Sequence, residues 1–174
     1  MSADTTTGAR VPAQRERDPS AEAERTVLAV LADLREGASR GVVVDSPPGA
    51  GKSTLVVRAA REIAASGDPV MLVAQTNEQV DDLVDRIATA DPSLPVGRLA
   101  PEDYRPPDRV RAHGNVRVGT KVADLGSAAV IASTSAKWSF VDGLTWRWAI
   151  IDEAYQMRSD MLLRVAPRFE RGLF

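Results

Sequence analysis

The sequence predicts an α/β fold in which a parallel β-sheet is covered by helices on both faces. Helical and strand patterns alternate along the chain, and such alternation favours right-handed crossovers between parallel strands. The strand segments are also continuous apolar runs, PVMLVA at residues 69–74 and WRWAII at residues 146–151, as expected for strands buried on both faces. The carboxyl ends of such strands form the edge at which ligands bind.

The first elements are a helix and a short strand. Residues 1–17 lack apolar periodicity and predict a disordered tail, so residues 18–174 are expected to form the folded domain. Asp18 and Pro19 supply an N-cap and a proline at the first helical position, followed by helically spaced apolar residues. Three valines at residues 42–44 then predict a buried parallel strand.

Two further helices are predicted on either side of the strand at residues 69–74. The first begins at Ser53 and stops at Gly67. The second is predicted to begin at Thr76, because Thr76 and Gln79 have the spacing of a capping box. Acidic residues occupy its first turns. These elements extend the alternation of helices and strands.

Residues 91–127 break this alternation. They contain five prolines, scattered arginines and only short apolar pieces, so we predict a Pro/Arg-rich insertion rather than a core element. Regular structure is expected to return as strands at residues 128–133 and 146–151. A short helix and a strand that begins at Arg171 complete the prediction.

A glycine-rich turn between the first strand and the following helix, DSPPGAGKST at residues 45–54, predicts a triphosphate site. Gly49 and Gly51 allow backbone N–H groups to approach an anion, and the helix adds partial positive charge. Lys52 is placed to reach the β- and γ-phosphates, and the Ser53 hydroxyl can ligate Mg²⁺. Ser46 stands where the consensus motif has glycine. The predicted nucleotide-binding residues are Pro48, Gly49, Ala50, Gly51, Lys52, Ser53 and Thr54.

Asp152 and Glu153 follow the strand at residues 146–151, where a P-loop ATPase requires two acids. The first acid holds Mg²⁺ through its water shell, and the second orients or deprotonates the attacking water. Adjacent residues of an extended chain point to opposite sides, so the pair can perform both tasks. We therefore predict ATP and Mg²⁺ as cofactors, with Ser53 and Asp152 at the metal. A solvated strand end is the alternative for an isolated Asp-Glu pair.

Composition restricts the function classes. The chain has no cysteine and one histidine, which excludes disulfides and cysteine-type zinc sites. The sequence contains neither a membrane-spanning apolar run nor the apolar core of a signal peptide, so we expect a cytoplasmic protein with no membrane partner. The net charge is −2, but six cations and three acids lie between residues 98 and 121. This segment forms either a basic surface for a phosphate backbone or a solvated loop with internal ion pairs.

Four motifs resemble those of superfamily 1 helicases, in the same order. Residues 46–54 are similar to motif I, including its Pro-Pro pair, and residues 73–87 resemble motif Ia. Residues 130–134 resemble the strand and threonine of motif Ic. Residues 152–156, DEAYQ, are similar to the Asp-Glu-Ala-x-Gln motif of the Upf-like branch. Together the motifs cover approximately residues 40–160.

The resemblance implies ATP-driven translocation on single-stranded nucleic acid by two RecA-like domains, of which this chain matches the first. It implies that Glu153, Lys52 and Gln156 act in catalysis, with Gln156 sensing the γ-phosphate. It also implies that three residues contact nucleic acid: Thr76, Asn77 and Thr134. The family continues into a Gly-Asp-x-x-Gln strand and a second RecA-like domain that carries an arginine finger. We therefore expect the chain to be truncated before that second RecA-like domain, its missing partner.

Two other functions remain open. A P-loop phosphotransferase would need lid arginines, for which the candidates are Arg105, Arg109 and Arg111, but it would leave the resemblance to motif Ia without a role. A non-catalytic, nucleotide-dependent interaction module is the second alternative. Trp138 follows Thr134 and is predicted to be either a packing residue or a platform for base stacking.

Overall fold

The computed structural model describes residues 19–36, 40–45 and 51–174. The predicted tail, Asp18 and the loop residues 46–50, which include Pro48, Gly49 and Ala50, lie outside the described residues. The remaining predicted site residues fall within them.

Seven parallel strands form one sheet, which confirms the predicted α/β fold. The strands are β1 (Gly41–Val42), β2 (Val70–Ala74), β3 (Val96–Leu99), β4 (Val116–Gly119), β5 (Val130–Thr134), β6 (Trp146–Ile151) and β7 (Phe169–Leu173). Their order across the sheet is β1-β7-β6-β2-β5-β3-β4, and every pairing is parallel. All seven carboxyl ends therefore meet at one edge.

Helices cover both faces, as predicted. The helices are α1 (Pro19–Glu36), α2 (Lys52–Ala65), α3 (Asn77–Ala90), α4 (Asp108–Arg111), α5 (Ser135–Trp138) and α6 (Ser159–Val165), with 3₁₀ turns at Val122–Leu125, Ala154–Gln156 and Ala166–Arg168. Alternate residues of β2 point to opposite faces. Val70 and Leu72 pack with α1, α2 and α3, whereas Met71 and Val73 pack with α5 and α6. No helix in the described part of the chain is long and apolar enough to cross a membrane.

Several helix and strand boundaries predicted from local sequence patterns agree with the structure. The strand β6 has the predicted limits, and β2 begins one residue after the predicted start. The capping box of α3 is present, with the Thr76 hydroxyl accepting from the Gln79 amide nitrogen at 3.2 Å. The helix α2 ends before Gly67, whose φ of +90° is costly for residues with a Cβ.

The prediction of a buried strand at residues 42–44 is wrong in part. Only Gly41–Val42 forms a strand, and the Val43 side chain is 78% exposed. The extended backbone nevertheless continues beside β7, because the Val44 amide donates to the Phe174 carbonyl at 2.8 Å.

The prediction that residues 91–127 form an insertion outside the core is also wrong. The strand β3 lies between β5 and β4, and its four residues are buried. Arg98 interrupts the apolar run of β3, so the segment does not have the pattern of a core strand. Its charge is neutralised within the core by Asp81 of α3, whose carboxylate lies 2.6 Å from the Arg98 Nε atom.

The strand predicted to begin at Arg171 is longer and more central than expected. The strand β7 starts at Phe169 and lies between β1 and β6. Gly172 pairs with Gly41 on one side and Ala149 on the other. A Cβ at Gly172 would lie 2.7 Å from the Phe174 ring, so glycine permits this close approach.

The buried charge network around Arg98 predicts a large effect on stability. Besides Asp81, the Arg98 guanidinium donates to the Asn77 side-chain oxygen at 2.9 Å, and the Tyr104 hydroxyl donates to Asp81 at 2.7 Å. Replacing Arg98 with methionine should lower the free energy of unfolding by about 3–5 kcal/mol, because it leaves a carboxylate buried without its partner. Denaturant-induced unfolding measures this change.

The exposed ion pair between Arg86 and Asp82, on the same helix as Asp81, supplies the control. Arg86→Met should change the free energy of unfolding by less than about 0.5 kcal/mol. Equal changes in the Arg86 and Arg98 variants would contradict the structural role assigned to the buried pair.

Candidate functional site

A cleft of about 620 Å³ lies at the carboxyl edge of the sheet, where β1, β7 and β6 end. Apolar side chains from these strands and from α2 form most of its walls. The charged and aromatic residues that line it include Asp45, Lys52, Asp152, Glu153, Tyr155 and Phe174. The structure thus brings the predicted lysine and both predicted acids to one cleft.

The N-terminus of α2 contributes the cationic side of the cleft. Gly51 is the N-cap residue and has the left-handed conformation, with φ of 86° and ψ of 21°. Lys52 is the first helical residue, and Ser53 and Thr54 follow in the same turn. The first-turn N–H groups of a helix have no partner within the helix, and they carry partial positive charge. This end of α2 is therefore suited to an anionic ligand, which the Lys52 ammonium at the same cleft could also reach.

Asp152 and Glu153 occupy the turn after β6. The Asp152 amide donates to the Val73 carbonyl at 2.9 Å, which ties the turn to β2. Glu153 has φ of 51° and ψ of 46°, a left-handed conformation that is uncommon for residues with a Cβ. The backbone thus changes direction at Glu153 and does not continue the simple alternation expected for an extended strand.

Burial raises the pKa of the Asp152 carboxyl above its ordinary value of 3.8. The neighbouring Glu153 charge raises this pKa further, and the Lys52 charge opposes the shift. A half-buried carboxylate that is costly to ionise without a cation is suited to hold one. A bound cation would supply positive charge beside this carboxylate.

The raised pKa of Asp152 predicts a pH-dependent gain in stability on its removal. Above the raised folded-state pKa, the folded protein carries this charge at a cost that the unfolded chain does not have. Asp152→Asn should therefore increase the free energy of unfolding without ligands at pH 7. The gain should shrink as the pH falls from the folded-state pKa toward the unfolded-state value near 3.8, because the carboxyl is then neutral in both states.

Urea unfolding across this pH range measures the effect, and Asp103→Asn is the matched control because Asp103 is exposed. A gain that is constant with pH would contradict the role of Asp152 desolvation. A loss of stability at pH 7 would contradict it as well.

Glu153 has a hydrogen-bond partner in Gln79, a residue for which the sequence predicted only a role in helix capping. The Gln79 side-chain nitrogen donates to the Glu153 carboxylate at 2.8 Å. The Gln79 side-chain oxygen accepts from the Thr76 amide at 3.0 Å, which completes the capping box. Gln79 and Glu153 are 74 residues apart, so no local pattern indicates this contact.

Tyr155 and Gln156 lie on an exposed 3₁₀ turn that follows the acids. The Lys52 ammonium lies 5.5 Å from the centroid of the Tyr155 ring, a cation–π contact across the cleft. The Gln156 side chain donates to the Tyr155 hydroxyl at 2.9 Å and does not line the cleft. The structure thus places Gln156 beside the site rather than within it.

The three residues predicted to contact nucleic acid lie at the carboxyl ends of β2 and β5, two neighbouring strands. Thr76 is exposed, but the Asn77 side-chain oxygen is engaged by Arg98. Thr134 is only 7% exposed, and its hydroxyl accepts from the Lys137 amide as the cap of α5. The fold therefore gives Asn77 and Thr134 structural contacts that the sequence analysis did not anticipate.

Trp138 is a packing residue, so the stacking alternative is wrong. Its side chain is fully buried, its indole nitrogen donates to the Leu72 carbonyl at 3.0 Å, and its ring meets Trp146 edge-on.

The basic segment at residues 98–121 presents less unpaired positive charge at the surface than its sequence indicates. Arg98 is buried, and Arg111 pairs with Asp108.

Comparison of the sequence with protein-family models and with curated proteins finds no match. Among the described residues, no group of three or more histidine or acidic side chains could hold a metal ion alone. A divalent cation at this cleft would therefore need oxygen ligands from a bound ligand and water in addition to Asp152 and Ser53.

Proposed function

We propose that this chain binds and hydrolyses ATP with Mg²⁺ as the first RecA-like domain of a superfamily 1 helicase-like motor. The observation that supports the proposal is the arrangement of one cleft. Lys52 at the start of α2 faces Asp152 and Glu153 after β6, and the three side chains line the same space at the carboxyl edge. Parallel α/β sheets bind nucleotides at this edge.

Each residue has a task that its position allows. Lys52 and the first-turn N–H groups of α2 bind the β- and γ-phosphates, and the Ser53 hydroxyl and Asp152 hold the cation. Bound Mg²⁺ would neutralise charge on the phosphates. Glu153 accepts a proton from the attacking water as the bond to the γ-phosphorus forms and the bond to the leaving ADP oxygen breaks. Gln156 lies three residues beyond this base and would report on the γ-phosphate through movement of its turn.

Single-stranded nucleic acid is the proposed polymer partner. Thr76 is exposed after the end of β2 and is the N-cap residue of α3, and backbone phosphates are favoured at the N-terminus of a helix. The Asn77 side-chain oxygen accepts a hydrogen bond from the Arg98 guanidinium, so the Asn77 side-chain N–H groups are the ones that could meet a phosphate. Thr134 would act through the position of α5 rather than by contact.

The phosphotransferase alternative gains no support from the cleft. Its candidate lid arginines, Arg105, Arg109 and Arg111, lie around α4, which packs against α3 and β4. The strand β4 is at the opposite edge of the sheet from β1. None of the three arginines is among the residues that line the cleft.

Replacing Lys52 with alanine tests the proposed nucleotide site. Loss of a charge-assisted contact to phosphate should weaken Mg-ATP binding at least tenfold, which corresponds to about 1.4 kcal/mol. A titration with fluorescently labelled ATP measures the dissociation constant. Arg58→Ala is the matched control, since Arg58 is on the same helix and pairs with Glu24 away from the cleft. Equal affinity in wild-type and Lys52→Ala protein would refute the site.

A further inference from the structure

The hydrogen bond between Gln79 and Glu153 draws the carboxylate toward one side of the cleft. The strand β6, which leads to Glu153, lies between β2 and β7. Gln79 belongs to α3, which follows β2, whereas Lys52 follows β1 beyond β7. The contact at 2.8 Å therefore holds the Glu153 carboxylate toward the β2 side, away from the strand that leads to Lys52.

Both ends of the Gln79 side chain are fixed. Its oxygen accepts from the Thr76 amide at 3.0 Å and from the Gln75 amide at 3.2 Å, while its nitrogen donates to Glu153. A helix cap alone needs only the oxygen, so the amide nitrogen is available for the second contact. The side chain thus connects the end of β2 rigidly to the carboxylate.

The backbone of Glu153 also differs from its surroundings. Of the residues that the structure describes, Glu153 is the single non-glycine residue with positive φ. Such a conformation persists where neighbouring contacts hold it, and a hydrogen bond to the side chain of the same residue is one such contact. Loss of the Gln79 contact would allow both the carboxylate and its turn to move.

We infer that Gln79 is a positioning residue that restrains Glu153 on the β2 side of the cleft, and that hydrolysis requires this hydrogen bond to be released. The inference rests on the proposed function of Glu153 as the base. Because the same side chain holds the Thr76 amide, a ligand that displaces the first turn of α3 would also displace Glu153. Binding of such a ligand at the end of β2 would then change the hydrolysis rate.

Gln79→Glu separates the restraint from helix capping. Glutamate keeps the side-chain oxygen that accepts from Thr76, since Thr-x-x-Glu is itself a capping box. It cannot donate to Glu153, and its charge repels that carboxylate. We expect single-turnover hydrolysis of ATP to rise about tenfold, the factor for one charge-assisted hydrogen bond, with the ATP dissociation constant unchanged. Gln79→Met, which has a similar length and no N–H donor, should give a rise of the same direction.

The rise must depend on Glu153, so it should disappear in the Gln79→Glu, Glu153→Gln double variant. Equal rates in wild type and both Gln79 variants, including no turnover in any of them, would overturn the inference. A fall in rate at unchanged ATP affinity would overturn it as well, because Gln79 would then hold Glu153 in its productive position. Failure of the proposed function is distinguishable, since ATP affinity would then be absent or insensitive to Lys52→Ala.

Discussion

Glu153→Gln should leave ATP bound and slow its hydrolysis by about 10²–10⁴-fold, the range for loss of a general base. The amide has the size of the carboxylate and can still accept from Gln79, so the turn should keep its form. It cannot take a proton from water. Asp152→Asn should fail differently, by weakening the dependence of ATP binding on Mg²⁺.

Single-turnover hydrolysis and equilibrium binding of labelled ATP, measured on the same preparations, separate the two effects. Glu170→Gln is the control, because Glu170 is an exposed acid of β7 outside the cleft. Equal and small effects of the Glu153 and Asp152 changes on turnover would favour the alternative reading of the pair as a solvated strand end.

Sequence patterns predicted well those elements whose form is determined by residues close together in the sequence. The strand β2 is covered on both faces, so all five residues are apolar and the run is visible without its neighbours. The start of α3 is determined by Thr76 and Gln79, which are three residues apart. In each case, the physical cause lies within a short stretch of sequence.

The strand β3 could not be predicted in this way, because its central charge is compensated from elsewhere in the fold. Arg98 is fully buried, and its charge is balanced by the Asp81 carboxylate, while Asn77 accepts a further hydrogen bond from it. Both partners are on α3, and they precede Arg98 by 17 and 21 residues. A local pattern therefore scores Arg98 as a surface residue and the segment as a loop.

The candidate site shows the same division. The spacing of Lys52 and of the two acids, each after an apolar strand, indicated a shared edge, and the parallel sheet brings them to one cleft. The spacing of these residues did not indicate that Gln79 contacts Glu153. It also did not indicate that the Thr134 hydroxyl caps α5. Side-chain hydrogen bonds between distant elements depend on the register of β2 with β6 and β5, which no single segment determines.

The 174-residue chain by itself should bind ATP yet hydrolyse it slowly, about 10³–10⁵-fold below the rate with an arginine at the transferred phosphoryl group. Charge that develops on the γ-phosphate in the transition state requires preorganised cations. Among the described residues that line the cleft, Lys52 is the single cation, and no arginine is present. Under the proposed function, a second RecA-like domain would supply the arginine.

Steady-state release of phosphate by the purified chain measures this rate, with Lys52→Ala protein as the control for contaminating ATPases. Multiple turnovers as fast as about 1–100 s⁻¹, the range of phosphoryl-transfer enzymes with a complete site, would contradict the expectation if Lys52→Ala abolished them. An arginine of this chain would then have to reach the cleft, and the candidates are four arginines of the basic segment at residues 98–121: Arg105, Arg109, Arg111 and Arg117. Since β4 and α4 are at the far edge of the sheet from β1, such a movement would require residues 100–121 to detach from α3. Fast turnover would therefore also predict that Arg98→Met, which loosens that attachment, changes the hydrolysis rate as well as the stability.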